Sequence, residues 1–138
     1  MTISIATPLR GPVSMRVPFR VASATEVRHA LEAWLRHQEI SDGVREDARL
    51  IVTELVGNAV RHASPLANGS VLVRWRIAAG MLVITVCDGG GETIPERIEP
   101  RGDAVDGRGL AIVEALSRTW WVERTARMRA VHARLALA

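Results

Sequence analysis

The chain contains no lysine. A Walker A loop needs a lysine on the β/γ-phosphates, and eukaryotic-type protein kinases need one on a strand. Pyridoxal phosphate chemistry needs a lysine to form its Schiff base. Composition therefore excludes all three. Every one of the 18 basic residues is arginine, which does not titrate until far above neutrality. The isoelectric point of 10.8 reflects that fact, because the net charge is only +3. The arginines are scattered and form no stripe, which argues against direct nucleic-acid binding. The single cysteine, Cys87, cannot close an internal disulfide and fits a reducing compartment. No apolar run approaches the roughly 20 residues a membrane helix needs. The start, "MTISIATPLRGPVS", lacks the charged and apolar blocks of a signal peptide. The expectation is a soluble, cytoplasmic protein without a membrane partner.

What is present suits one globular core. A chain of 138 residues, 48% hydrophobic and 24% charged, can bury about two-thirds of its unfolded surface. Residues 1–13, with Pro8 and Pro12, read as a flexible tail, and 14–138 as a single domain. "SMRVPFRV" (14–21) alternates as a strand, and Pro18 places it at an edge. Ser23 or Thr25 caps a helix running to about residue 40, with Val27, Leu31, Trp34 and Leu35 as its apolar stripe. "SDG" (41–43) breaks it. A second helix spans about 44–63, with Ala48, Ile51, Val52, Leu55, Val56 and Ala59 facing the core. "VLVRWRIA" and "MLVITVCD" form a hairpin around Ala79–Gly80. Residues 89–107 lose periodicity, and a loop that long is usually functional. "GRGLAIVEALSRT" (107–119) is a third helix. "WWVERT" and "AVHARLAL" close the sheet. The fold class is α+β, a two-layer sandwich with three helices on one face of a mixed, mostly antiparallel sheet. Trp75, Trp120 and Trp121 read as core, with an interface as the alternative.

Three places are too polar for packing alone. On the second helix, Glu54 and Asn58 lie one turn apart and project together, with Arg61 and His62 a turn further on. Gly57 between them costs about 1 kcal/mol against alanine, which close approach of a ligand would offset. A solvated face would carry the same residues. "ITVCDGGG" (84–91) ends a strand in Asp88, an acceptor for an amino group, before glycines that let a flat ligand approach. An ordinary Asp-Gly turn reads the same way. "DGRGLAI" (106–112) opens a helix with glycines, whose free N–H groups and dipole suit an anion. Helix entry alone would also explain it.

Order and spacing are more specific than each piece. "LIVTELVGNAVRHA", "VCDGGG" and "GRGLAIVEALSRTWWV", in that order, resemble the N box and the two glycine boxes of the gyrase, Hsp, histidine kinase and MutL (GHKL) superfamily. Its fold is the Bergerat ATP-binding fold. Within it the chain is most similar to the small anti-sigma factor serine/threonine kinases, and the likeness covers about residues 20–136. The resemblance implies ATP and Mg²⁺ as cofactors, with Asn58 as metal ligand and Glu54 as catalytic base. It implies that Asp88 accepts the adenine amino group and that Gly90 gives clearance. Gly107, Arg108, Gly109 and Leu110 would line the phosphates, with Arg61 and His62 within reach of them and 91–106 as the lid. It also implies a small regulatory protein as partner, of the sigma or anti-anti-sigma type, and a possible homodimer.

Three positions, in two of the motifs, depart from the pattern. Glu92 stands where the first box has its second glycine. Met128 and Ala130 stand where the last strand usually has Gly-x-Thr, so the adenine pocket lacks a hydroxyl, at a cost of about 1 kcal/mol. The sequence is compatible with two functions: a kinase acting on a Ser or Thr of a small protein, or an ATP-gated binding module without turnover.

Overall fold

The computed structural model describes residues 10–90 and 110–137. Five strands and three α-helices appear in the order β1 (Arg10–Pro18), α1 (Ser23–His37), α2 (Asp42–His62), β2 (Ser70–Ala78), β3 (Met81–Asp88), α3 (Leu110–Leu116), β4 (Thr119–Arg124) and β5 (Arg129–Ala136). The sheet order is β1-β2-β3-β5-β4. Every described pairing is antiparallel, so the described sheet has no parallel component. The architecture is the expected α+β sandwich. β1 is an edge strand with Pro18 at its end, and it already begins at Arg10, within the stretch read as tail. Residues 1–9 lie outside the described set.

The strands alternate, except that Ser70, Cys87 and Ala130 are buried as well. Val71, Val73, Trp75 and Ile77 of β2 are buried, as are Leu82, Ile84, Val86 and Asp88 of β3 and Val131, Ala133 and Leu135 of β5. This row faces the helices and joins Val27, Leu31 and Leu35 of α1 with Ile51, Val52, Leu55 and Val56 of α2 in one core. Trp34 meets Trp75 edge-on, ring centres 6.4 Å apart. Trp75 and Trp120 are core residues, as expected. Trp121 is on the opposite face, where it stacks on His132 at 4.8 Å. There Thr85 and Glu123 bind the two imidazole nitrogens of His132, at 2.9 and 2.7 Å.

Helix ends follow local chemistry. Glu39 adopts φ 62°, the left-handed conformation that ends a helix, so α1 stops at His37 and not near residue 40. Ser23 does not cap α1. Its hydroxyl donates to the Pro18 carbonyl at 2.7 Å, and Ala22 is the cap residue. Ser41 caps α2, its oxygen accepting from the Val44 N–H, and Asp42 and Gly43 fall in the first turn instead of a break. The β2–β3 turn places both Ala79 (φ 53°) and Gly80 (φ 74°) in the left-handed region, the geometry of a two-residue hairpin turn.

The phase of α2 decides where every polar residue of that helix points. Ile51 is fully buried and its neighbour Leu50 is 41% exposed. Ile51→Ala should cost about 2–5 kcal/mol. Leu50→Ala should stay within about 0.5 kcal/mol of wild type. Urea unfolding of the two variants checks the pair, and equal effects would mean the helix is rotated.

Candidate functional site

Asn58 is the unusual residue of α2. It is only 4% exposed, and its Oδ1 is buried with no hydrogen-bond partner among the described residues. An acceptor left without any partner costs about 1–3 kcal/mol, and a bound ion is one of the partners that would satisfy it. An oxygen with free lone pairs is what a hard divalent cation takes up, so this site fits magnesium. Glu54 is half-buried one turn earlier, and helical spacing sets it on the same side as Asn58. Arg61 and His62 are exposed on the last turn. Gly57 is buried, and a Cβ there would lie 3.0 Å from Nη1 of Arg61. The group that this glycine admits is therefore the guanidinium of its own helix.

Asp88 ends β3 on the helix-facing row and is 0% exposed. Its Oδ1 accepts from the N–H of Gly90 at 2.7 Å. Gly90 adopts φ +80°, and a Cβ on it would meet nothing nearer than 3.9 Å. Conformation, not crowding, demands glycine there. Gly89 is different. A Cβ at 89 would sit 2.2 Å from the carbonyl oxygen of Pro65. The Gly89 N–H donates to Ser64 O at 2.7 Å, and the Ser64 N–H donates to Gly90 O at 2.9 Å. The expected close approach of a flat ligand to this glycine run is, at Gly89, an approach by the chain's own backbone. That contact binds the end of β3 to the segment leaving α2, and so brings Asp88 to the end of the molecule that carries Asn58, Arg61 and His62.

Arg129 is the residue that sequence reasoning missed. It pairs directly with Asp88 in the β3–β5 register, and its Nε and Nη2 both donate to Asp88 Oδ2, at 3.2 and 2.9 Å. The same register puts Ala130 opposite Cys87, on the other face of the sheet. The hydroxyl expected at Ala130 would not reach Asp88, so its loss removes no bond from that carboxylate. The signal lay in the alternation of β5. Val131, Ala133 and Leu135 form the inward row, and two residues earlier that row begins with an arginine. Burial pushes the Asp88 carboxyl above its ordinary range, and the Arg129 guanidinium and the Gly90 N–H pull it back only in part. Burial likewise pushes up the Cys87 thiol.

Leu110 is half-buried at the first residue of α3. Gly107, Arg108 and Gly109, expected at the phosphates, and the expected lid at 91–106 with Glu92 lie outside the described residues. Among the described residues, no group of three or more His, Cys, Asp or Glu could hold a metal ion. No described helix is long and apolar enough to cross a membrane.

The candidate site of this α+β sandwich thus combines a buried carboxylate at a strand end with a buried carboxamide oxygen, on the covering helix, that has no partner among the described residues. The chain belongs to the histidine kinase-like ATPase domain family, whose model matches residues 17–135. Solved structures share the fold. The RsbU and RsbW domains of Rv1364c from Mycobacterium tuberculosis align over 92% of this chain and 32% of theirs, with TM-score 0.70 and 21% identity. The chain thus spans about a third of that protein's length. The SiaB–SiaC complex from Pseudomonas aeruginosa aligns over 89% and 88%, with TM-score 0.63 and 13% identity. The Acinetobacter baumannii histidine kinase AdeS aligns over 91% and 68%, with TM-score 0.51 and 17% identity. No curated protein matches the chain.

Two measurements test this geometry. Gly89→Ala should lose about 1–3 kcal/mol of stability through backbone overlap. Gly90→Ala should lose about 1–2 kcal/mol through its left-handed φ alone. Chemical denaturation reads both. For Asp88, a raised folded-state value means the native protein binds that proton more tightly than the unfolded chain. Its contribution to stability is full below the ordinary value of 3.8 and is lost as pH rises through the raised one. The unfolding free energy of wild type minus that of Asp88→Asn should therefore fall as pH rises through that window. A flat difference would show that Asp88 does not titrate there.

Proposed function

We propose that this chain is an ATP-dependent serine/threonine protein kinase of the anti-sigma factor type, acting on a small regulatory protein. Membership of the ATPase family supports ATP as the nucleotide. The observation that carries the reading is the buried, unpartnered Oδ1 of Asn58, one turn from Glu54. The structural neighbours include an RsbW domain and a SiaB–SiaC complex, which supports a small protein as partner.

Each residue then has a task. Asp88 accepts the exocyclic amino group of adenine and so fixes one end of the nucleotide. Asn58 would hold magnesium through its side-chain oxygen, and the ion, when bound, would supply charge neutralisation for the phosphoryl oxygens. Glu54 accepts the proton of the attacking hydroxyl. As it does so, a bond forms between that oxygen and the γ-phosphorus, and the bond from phosphorus to the bridging oxygen breaks, leaving ADP. Arg61 and His62, exposed at the end of α2, stand within the region that the phosphates would cross. Electrostatics and positioning dominate phosphoryl transfer, so the lack of lysine is no obstacle.

A second reading has one observation in its favour. The bidentate hold of Arg129 on Asp88 weakens base recognition, which suits a module that binds ATP to set its shape and turns none over. The two readings separate in one experiment. Glu54→Gln should bind Mg-ATP within about twofold of wild type by calorimetry. It should transfer labelled γ-phosphate to a serine- or threonine-bearing partner about 10²–10⁴ times more slowly. Wild-type binding without any transfer supports the module, and transfer by the variant at the wild-type rate removes Glu54 from the chemistry.

A further inference from the structure

Asp88 is the residue that the proposed function gives to the nucleobase, and the role assigned here to its neighbour rests on that reading. Both oxygens of Asp88 are already engaged. Oδ1 holds the Gly90 N–H. Oδ2 holds two N–H groups of one guanidinium. The carboxylate is fully buried, and the Arg129 side chain is only 13% exposed. The two residues face each other across neighbouring strands, so the pairing is set by sheet register and not by a loop. An adenine amino group is a hydrogen-bond donor, and so is every nitrogen of the guanidinium. The two compete for the same acceptor.

We propose that Arg129 is a built-in competitor of the nucleobase, and that a 6-aminopurine nucleotide reaches Asp88 only by displacing its guanidinium. The competitor sets both the affinity and the base selectivity of the site. The arginine stem is long, and Met128 beside it is exposed, so the guanidinium has solvent to swing towards. The apparent affinity falls by the fraction of molecules in which Asp88 is free. Selectivity falls as well. With arginine in place, the site shows an incoming base a cation rich in donors, which suits a 6-oxo group as well as Asp88 suits a 6-amino group.

The test is calorimetric titration of Mg-ATP and Mg-ITP into wild type, Arg129→Gln and Arg129→Lys. Glutamine keeps one donor towards Asp88 but removes the charge. Lysine keeps the charge, and with it the fold, but loses the two-pronged geometry. Arg129→Gln should bind Mg-ATP about tenfold more tightly and Mg-ITP no more tightly than wild type. Arg129→Lys should tighten Mg-ATP about threefold. A purely structural role would move both nucleotides together. Measurable Mg-ATP binding that neither substitution tightens, or equal shifts for ATP and ITP, overturns the competitor and leaves the nucleotide site intact. No binding of either nucleotide by any of the three proteins overturns the nucleotide reading of Asp88, and the competitor with it.

Discussion

Two short hydrogen bonds join the Gly89–Gly90 backbone to Ser64, and the site depends on them. They fasten the end of a central strand to the segment that leaves α2. The shared core already packs α2 on β3, and this contact adds a backbone tie at the end where Asp88 lies. The contact is possible only because residue 89 has no side chain, since Pro65 O occupies the space a Cβ would take. A position that reads as clearance for a ligand thus works one step earlier. It lets the protein approach itself closely enough to build a place for one.

The two polar groups held there are stabilised in opposite ways. Asp88 is buried and fully partnered, by a guanidinium and a backbone N–H. Removing one member of such a pair is strongly destabilising, because it leaves the other charged and dry. Asn58 is buried and its acceptor is orphaned. On the proposed reading, a bound ion would offset that cost. Other buried side-chain atoms also lack a described partner, Thr53 Oγ1 of the same helix among them, but the Asn58 oxygen is the one oxygen of these that stands a turn from a carboxylate, and unsatisfied polarity beside titratable groups is where function is expected. On that criterion the carboxamide is the stronger mark of a ligand, and the carboxylate with its arginine is the stronger anchor of the fold.

How much of this is legible in the sequence depends on which forces act locally. Helical periodicity reveals α2 and its buried row, because a 21-residue helix repeats its pattern many times. The hairpin is legible because Ala79–Gly80 interrupts two alternating runs. Helix ends are less so. Glu39 has no residue-type signature for a left-handed φ, and Ser23 spends its hydroxyl on Pro18, a partner that only the tertiary fold supplies. The motif residues of α2 and β3 fall on the expected elements, but their partners are not legible, because register between β3 and β5 is not a local property. A one-residue difference in register exchanges the two faces of a strand. For that reason the sequence points to Ala130 as the residue bearing on the adenine pocket, whereas Arg129 is the one that touches Asp88.

That exchange changes the energetic argument, not just the name of a residue. A missing hydroxyl would weaken a pocket by one neutral hydrogen bond, a loss that acts equally on every nucleotide. A guanidinium in the same place acts through competition, so its effect depends on what the ligand offers. A ligand that brings a donor must first free the acceptor, and one that brings an acceptor need not. The free energy of the Asp88–Arg129 pair therefore enters the affinity for one class of base and drops out for another. Specificity is a difference between affinities, and here the opposing element is supplied by the fold itself. On the proposed reading, the oxygen of Asn58 would favour a bound nucleotide while the partnered carboxylate of Asp88 would oppose it. Net binding would then be the difference between these two terms, each of them set by residues of α2, β3 and β5.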